Sequence, residues 1–258
     1  MKPRPSLLNY RLKRLRRGAF ARLALLSSRF DPLLHTSAPL EKMEYAGDAQ
    51  NNSLIVFLPG IGDVAEDFER RGFIDELRRQ GIGADAVAVD AHYGYYASRE
   101  IHARIAGDVI AAAHEAGYER IWLTGVSLGG FGAASYAAQY ASHIDGLLLL
   151  APYLGGPELV QEIASAGGIG RWKAGRVGEN DYQRALWAWF KRILAEREAE
   201  LPIYLGYGKR DMFQHANGLL AEVLPQEQVF AIPGGHDWRT WKQLWQMFLE
   251  SRKTGLHS

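Results

Sequence analysis

From residue 54 onward, short apolar runs alternate with longer segments in which apolar residues recur at helical spacing. The apolar runs predict strands at residues 54–58, 86–89, 121–126, 146–150, 203–207 and 228–232. Most runs are apolar at almost every position, which is typical of strands covered on both faces. Strands that alternate with helices in this way predict an α/β fold, in which helices flank a mainly parallel sheet.

The segments between the apolar runs predict amphipathic helices. One helix is predicted over residues 65–80 and another over 98–116, with Ser98 as its N-cap and Gly117 directly after its end. A further helix is predicted near the carboxyl end, where residues 238–249 place tryptophans and leucines three and four positions apart. Such a stripe indicates core packing before any other role.

Residues 152–200 interrupt the alternation with a glycine-rich stretch and an amphipathic segment around Trp189 and Phe190. An insertion here predicts a small helical cap above the carboxyl edge of the sheet, where open α/β folds bind ligands. A surface helix that only covers the sheet is the other interpretation. Because the sequence contains no low-complexity linker, we expect one domain at residues 41–258, preceded by an arm at residues 1–40.

The composition mainly excludes several kinds of functional site and a membrane-spanning helix. The chain has 258 residues, of which 47% are hydrophobic and 23% charged, an ordinary globular balance. It contains no cysteine, which excludes disulfides, thiolate metal sites and a cysteine nucleophile. No apolar run approaches the roughly 18 residues that a membrane-spanning helix needs. Zinc-ligand spacings and a phosphate-binding loop are also missing, so we expect no metal and no cofactor.

The net charge of +1 conceals an uneven distribution. Residues 1–30 contain nine lysines and arginines and no acidic residue, so they hold +9 and leave −8 for the rest of the chain. Leucines interleave with these cations. Three interpretations stay open for residues 1–30: a solvated tail, a helix on an anionic membrane surface, or, least favoured, an arm that binds nucleic acid.

The same distribution bears on location and partners. We expect a cytoplasmic protein, with peripheral membrane contact through residues 1–30 as one of the open interpretations and with no nucleic-acid partner. Arg16 and Arg17 ahead of Phe20 are only a weak indication of a twin-arginine export signal.

The motif Gly-Val-Ser-Leu-Gly at residues 125–129 is the strongest chemical signal in the sequence. An apolar run precedes it and a helix-like segment follows it, which is the strand-turn-helix context that a Gly-x-Ser-x-Gly nucleophile elbow requires. The glycines allow a turn so sharp that larger side chains would collide with neighbouring backbone. We therefore expect Ser127 to be a nucleophile held in a strained conformation. A tight turn with a serine N-cap is the alternative.

A serine hydroxyl needs a general base and a group that orients that base. Asp211 follows the predicted strand at 203–207, and His236 follows the last predicted strand, so the order along the chain is Ser, Asp, His. As alternatives, Asp211 caps a helix and His236 makes a structural hydrogen bond. Asp90, at the end of another strand, is the reserve candidate for the acid, and His215 belongs on a helix.

An oxyanion hole needs two backbone N–H groups aimed at the developing negative charge. We expect these from Leu128, directly after the nucleophile, and from Ile61 in the glycine-rich turn after the first predicted strand. A run of aromatic residues after Asp90 lies at the same edge of the sheet. It predicts either a substrate pocket or a packed loop, and its candidate substrate-binding residues are His92, Tyr93, Tyr95 and Tyr96.

Over residues 50–250 this arrangement resembles the α/β-hydrolase superfamily. The turn Pro-Gly-Ile-Gly at residues 59–62 stands where many members have His-Gly-x-Gly, and the segment from Gly234 to Trp238 is similar to the tail of serine esterases. Ser127 differs from the aspartate of haloalkane dehalogenases and from the cysteine of dienelactone hydrolases. The resemblance implies a carboxylic ester hydrolase and identifies no substrate.

The sequence therefore predicts a serine hydrolase that cleaves a carboxylic ester or thioester of a small-molecule substrate through an acyl-enzyme. Acyl transfer on the same fold is the near alternative, because its first half-reaction is the same. A dinucleotide-binding oxidoreductase is a second alternative, since residues 60–65 fit Gly-x-Gly-x-x-Ala, although Asp90 lies 30 residues beyond Gly60 where about 20 are expected. A non-catalytic binding protein is the third.

Overall fold

A seven-stranded sheet forms the centre of the computed structural model, which describes residues 6–26, 35–47, 51–195 and 201–253. The strands are β1 (Lys42–Tyr45), β2 (Ser53–Leu58), β3 (Asp85–Val89), β4 (Arg120–Val126), β5 (Gly146–Leu150), β6 (Ile203–Gly208) and β7 (Val229–Ile232). Their spatial order is β1-β3-β2-β4-β5-β6-β7, with β1 antiparallel to β3 and every other pair parallel. The predicted α/β fold with a mainly parallel sheet is confirmed.

Helices connect the strands and cover both faces of the sheet. They are α1 (Leu7–Leu26), α2 (Glu66–Arg70), α3 (Phe73–Arg79), α4 (Tyr93–Ala97), α5 (segments Ile101–Arg104, Ile105–Ala111 and Ala112–Glu115), α6 (Leu128–Tyr140), α7 (Pro157–Ser165), α8 (Tyr182–Ala195), α9 (Gln214–Ala221) and α10 (Trp238–Lys253). The middle segment of α5 is π-helical. Short 3₁₀ turns precede β5 and β7.

Alternate residues of each central strand enter different cores, as the period of two in a strand requires. In β2, Leu54, Val56 and Leu58 pack with α5, α6 and α8 on one face. Ile55 and Phe57 pack on the other face against residues of α2, α3 and α10. Because both faces are buried, the strand is apolar throughout, which is why the apolar runs predicted the strands closely.

The helix predicted over residues 65–80 is wrong in its continuity. The structure has α2 and α3 there, and Gly72 between them adopts φ +79°, a left-handed conformation that ends a helix. Ser98 is likewise wrong as an N-cap. Its hydroxyl bonds the carbonyl oxygens of Thr36 and Gly94, and Arg99 (φ +62°) separates α4 from α5.

One strand lies outside what the apolar pattern predicted. The edge strand β1 alternates charged and apolar residues over four positions, too short to give a distinct signal. In the 152–200 segment, α8 packs on α6, and the buried Trp187 donates its Nε1–H to the carbonyl oxygen of Leu154. Whether this segment acts as a cap stays a prediction.

Helix α1 lies against the carboxyl edge of the sheet, so its described part is not a solvated tail. Tyr10, Lys13, Arg14 and Arg17 all contact acidic side chains of the α/β body. Ala21 is buried, and it lies where a side chain on Gly62 would touch it. Among the helices the structure describes, none combines the length and apolar character needed to cross a bilayer.

Candidate active site

Ser127 sits at the turn from β4 into α6 with φ +53° and ψ −115°, a conformation that side chains rarely adopt. The close packing around this turn explains the neighbouring glycines. A Cβ on Gly125 would come within 2.2 Å of the carbonyl oxygen of Gly129, and one on Gly129 within 2.2 Å of that of Leu58. The turn therefore tolerates only glycine at both positions, and it fixes the position of Ser127 relative to the rest of the site.

The structure brings the three side chains predicted for catalysis into one hydrogen-bonded chain. Ser127 Oγ lies 2.9 Å from His236 Nε2. His236 Nδ1 lies 2.8 Å from Oδ2 and 3.0 Å from Oδ1 of Asp211. Asp211 is fully buried, whereas a fifth of the His236 side chain is exposed. A carboxylate on Nδ1 holds the proton there and leaves the Nε2 lone pair facing the serine.

Asp211 does not cap a helix as the alternative had it, because the N-cap residue of α9 is Phe213. Its Oδ1 accepts the backbone N–H of Phe213 at 2.8 Å, an interaction that orders the turn after β6. The aspartate therefore organises its own loop and contacts the imidazole with the same carboxylate. This second bond fixes the direction of the carboxylate relative to His236.

Packing around His236 supplies features that sequence reasoning missed. The rings of Phe213 and Trp241 contact the imidazole edge-to-face, with centroids 5.0 and 4.9 Å away. Thr240 Oγ1 accepts the N–H of Gly235 and so ties the histidine loop to the first turn of α10. In the sequence, Trp241 belongs both to the stripe that predicts core packing and to the segment around His236 that is similar to serine esterases, and neither pattern predicts its contact with the imidazole.

Both N–H groups predicted for the oxyanion hole lie beside the nucleophile turn. A Cβ on Gly60 would be 3.5 Å from that of Ser127, so the turn carrying Ile61 packs on the elbow. Within the described residues, neither the Ile61 nor the Leu128 N–H donates to another protein group. Such unpaired donors next to a serine are what an oxyanion hole requires. Their role stays a prediction.

The aromatic run after Asp90 divides into two groups. His92 and Tyr93 line a cavity of about 190 Å³ together with Ile61 and residues of α1. Tyr95 is buried in the core and donates its hydroxyl to the carbonyl oxygen of Pro39, so its assignment to the substrate pocket is wrong. Tyr96 packs on the same core, with its hydroxyl buried where a side chain on Gly132 would stand. Tyr95 and Tyr96 lie on the side of α4 that faces the core, which explains why they do not line this cavity.

The other candidates are engaged elsewhere. Asp90 forms ion pairs with Arg17 at 2.6 Å and Lys13 at 3.1 Å, which removes it as the acid of the site and as a free ribose-binding group. His215 is exposed on α9. In the part of the chain that the structure describes, no group of three or more His, Asp or Glu side chains is arranged to hold a metal ion.

An acidic cluster of Asp63, Glu66, Asp67 and Asp90 adjoins the turn that carries Ile61 and receives the cations of α1. Asp63 Oδ1 accepts both Arg14 at 3.2 Å and the Nε1–H of Trp238 at 3.0 Å. Burial, with the charge of Asp67, raises the pKa of Asp63. Burial and the nearby Arg17 lower the pKa of His92 to about 4, so His92 is neutral at pH 7.

A larger cavity lies at the opposite edge of the sheet. It encloses about 430 Å³ near the amino ends of the strands and is lined by Gln80, Trp122, Phe248 and Arg252 among others. None of the residues predicted for catalysis reaches it. In open α/β sheets the chemistry belongs at the carboxyl edge, so we place the site at Ser127 and not in the larger cavity.

Comparisons with known proteins agree with this architecture. The model of a protein family described as "alpha/beta hydrolase fold" matches residues 53–205. No curated protein sequence matches the chain significantly. Among solved structures, FphF, a fluorophosphonate-binding serine hydrolase of Staphylococcus aureus, aligns with a TM-score of 0.58 at 11% identity, over 83% of this chain and 98% of its own.

Two other solved structures align similarly. Est1E from Butyrivibrio proteoclasticus has a TM-score of 0.57 at 16% identity, over 84% of this chain and 93% of its own. The monoacylglycerol lipase of Paleococcus ferrophilus has a TM-score of 0.54 at 16% identity, over 83% of this chain and 99% of its own. At such identities the likeness establishes the fold alone.

Proposed function

Because this chain belongs to the α/β-hydrolase fold family, we propose that it is a serine hydrolase that cleaves a carboxylic ester or thioester through an acyl-enzyme. The observation that carries the proposal is the continuous contact from Ser127 through His236 to the buried Asp211. Nucleophile, base and orienting group stand in hydrogen-bond reach of one another, which is the minimum that activation of a serine requires.

In the proposed first half-reaction, Ser127 Oγ attacks the carbonyl carbon of the substrate as its proton passes to His236 Nε2. The negative oxygen of the tetrahedral intermediate accepts the N–H groups of Ile61 and Leu128. Removing one such donor typically costs about a hundred- to a thousandfold in rate. As the intermediate collapses, His236 returns the proton to the leaving alcohol or thiol, and the acyl group stays on Ser127.

In the second half-reaction, His236 removes a proton from a water molecule, which attacks the acyl carbonyl. Collapse of this intermediate releases the carboxylic acid and restores the Ser127 hydroxyl. Asp211 keeps its negative charge throughout and stabilises the imidazolium that forms in both halves. In this proposal, water accepts the acyl group. If an alcohol or thiol accepted it instead, an assay with that acceptor added would detect the transferred acyl group.

Turnover of p-nitrophenyl esters of graded acyl length and of acyl-CoA thioesters tests the proposal. We expect hydrolysis of at least one series, with kcat/KM reduced by about a million-fold or to background in Ser127→Ala. Ser135→Ala is the matched control, because Ser135 lies on α6, the helix that follows Ser127, with its hydroxyl also 2.9 Å from a histidine nitrogen. Activity that survives in Ser127→Ala, or is lost equally in Ser135→Ala, would contradict the mechanism.

A further inference from the structure

In helix α1 the charged and apolar sides are exchanged relative to most helices on a protein surface. Its charged side packs on the body, and its apolar side faces solvent. Leu8, Leu12 and Leu15 expose 65%, 48% and 70% of their surface. At 100° per residue they form, with Ala19, one stripe opposite the side of Tyr10, Arg17 and Ala21. A surface helix normally buries its apolar stripe, so the exposed leucines need another explanation.

The inward side fixes α1 in this orientation. Lys13, Arg14 and Arg17 form ion pairs with the acidic cluster, whose carboxylates are mostly buried. Tyr10 adds a hydrogen bond to Asp67 at 2.8 Å. Rotating α1 to bury its leucines would leave these buried carboxylates without their cations, which is strongly unfavourable. The apolar stripe is therefore held outward by the charges on the opposite side.

The remaining cations of α1 flank the outward stripe. Arg11 and Arg22 lie on one side of it and Arg16 on the other, all three exposed. Within the described ranges they form no ion pair, and α1 contains no acidic residue. An apolar stripe between arginines matches a bilayer surface, where leucines enter the acyl boundary and arginines meet anionic headgroups.

We propose that the outward face of α1, formed by Leu8, Leu12, Leu15, Arg11, Arg16 and Arg22, binds the surface of an anionic lipid membrane. A second copy of the chain fits this face less well, because two such helices would bring six arginines together without a carboxylate. Phe20 lines the cavity next to Ile61, so binding through α1 sets the rim of the site close to the bilayer. This binding is independent of the proposed hydrolysis.

The test is co-sedimentation of the full chain with vesicles of phosphatidylcholine alone and of phosphatidylcholine mixed with phosphatidylglycerol. We expect binding to the mixed vesicles that weakens as salt is added. Arg11→Gln with Arg16→Gln should weaken it about 30-fold, since each cation near an anionic surface contributes a factor of about five. Leu15→Ser should weaken it about tenfold. Circular dichroism checks that the variants keep their helix content.

Matched controls come from elsewhere on the surface. Arg78→Gln with Arg120→Gln removes two cations near the amino edge of the sheet, and Met212→Ser replaces a methionine that is 74% exposed after β6. Both controls, and Ser127→Ala, should bind as the unaltered chain does. Absence of vesicle binding, equal losses in the controls, or a dimer in ultracentrifugation that Leu15→Ser dissolves would each overturn the proposal.

Discussion

Two serines of the described chain have the same distance to a histidine and very different surroundings. Ser127 Oγ lies 2.9 Å from His236 Nε2, and Ser135 Oγ, about two turns further along α6, lies 2.9 Å from His102 Nε2. On the far side of the ring, His236 meets the carboxylate of Asp211, whereas His102 lies 3.2 Å from the amide oxygen of Gln139. A Ser–His contact is therefore not sufficient to identify a nucleophile.

The difference lies in the backbone and in the charge behind the histidine. Ser127 occupies a strained turn beside unpaired N–H groups, whereas Ser135 lies inside a regular helix and donates its hydroxyl to the carbonyl oxygen of Gly132. The Gln139 amide has no negative charge to stabilise an imidazolium. Burial lowers the pKa of His102, which makes it a weaker base. We infer that the pair of Ser135 on α6 and His102 on α5 is structural.

Asp211→Asn puts an amide behind His236, in the position that the Gln139 amide occupies behind His102. We expect kcat/KM to fall about ten-thousandfold, because the amide neither fixes the Nδ1–H tautomer nor stabilises the imidazolium. The amide oxygen can still accept the Phe213 N–H, so the fold should persist. Steady-state kinetics with thermal unfolding as a check measures this. Gln139→Ala, the equivalent change beside His102, should stay within about twofold; equal losses would remove the distinction.

A second change tests the strained turn. In Gly129→Ala the new methyl would stand 2.2 Å from the carbonyl oxygen of Leu58, forcing the nucleophile turn away from the end of β2. We expect a loss of about 2 to 3 kcal/mol in the free energy of unfolding, with loss of activity, measured by denaturant titration and ester turnover. Gly218→Ala, in α9 with nothing within 4 Å, should be neutral or stabilising by up to about 1 kcal/mol. Similar stability for both variants would contradict the packing argument.

The smallest expected effect concerns the pair of Ser135 and His102. In Gln139→Glu a carboxylate replaces the amide beside His102, so the pKa of His102 should rise towards its ordinary value, measured by NMR titration. Because the pKa of His102 is lower in the folded chain than in the unfolded chain, unfolding takes up a proton at acid pH. The free energy of unfolding therefore falls as the pH drops below the ordinary histidine pKa. That acid-side loss should shrink in the variant. No esterase activity should appear at Ser135, and a pKa that does not move would weaken the electrostatic distinction.

The sequence allowed the sheet and the order of the candidate triad to be predicted for one physical reason. Buried parallel strands are apolar at nearly every position, and their carboxyl ends meet at one edge, so residues just after them converge. Ser127, Asp211 and His236 each follow such a strand. Their distances in the structure match that expectation, and their catalytic roles stay to be measured.

The features that the sequence did not indicate depend on contacts between distant segments. Arg17 and Asp90 are 73 positions apart, and their ion pair is set by how α1 crosses the sheet edge, not by any local pattern. The Ser135–His102 contact depends likewise on how α5 packs on α6. Tyr95 turned inward because of the geometry of a five-residue helix, α4, that no periodic signal of that length could reveal.

Fluorophosphonate labelling followed by peptide mapping tests the central claim most directly, because the reagent reacts only with an activated serine hydroxyl. The account predicts a single adduct on Ser127, no adduct on Ser135, and no labelling of Ser127→Ala. An adduct on Ser135, or an unlabelled protein that is otherwise folded, would contradict the claim that Ser127 is the activated nucleophile.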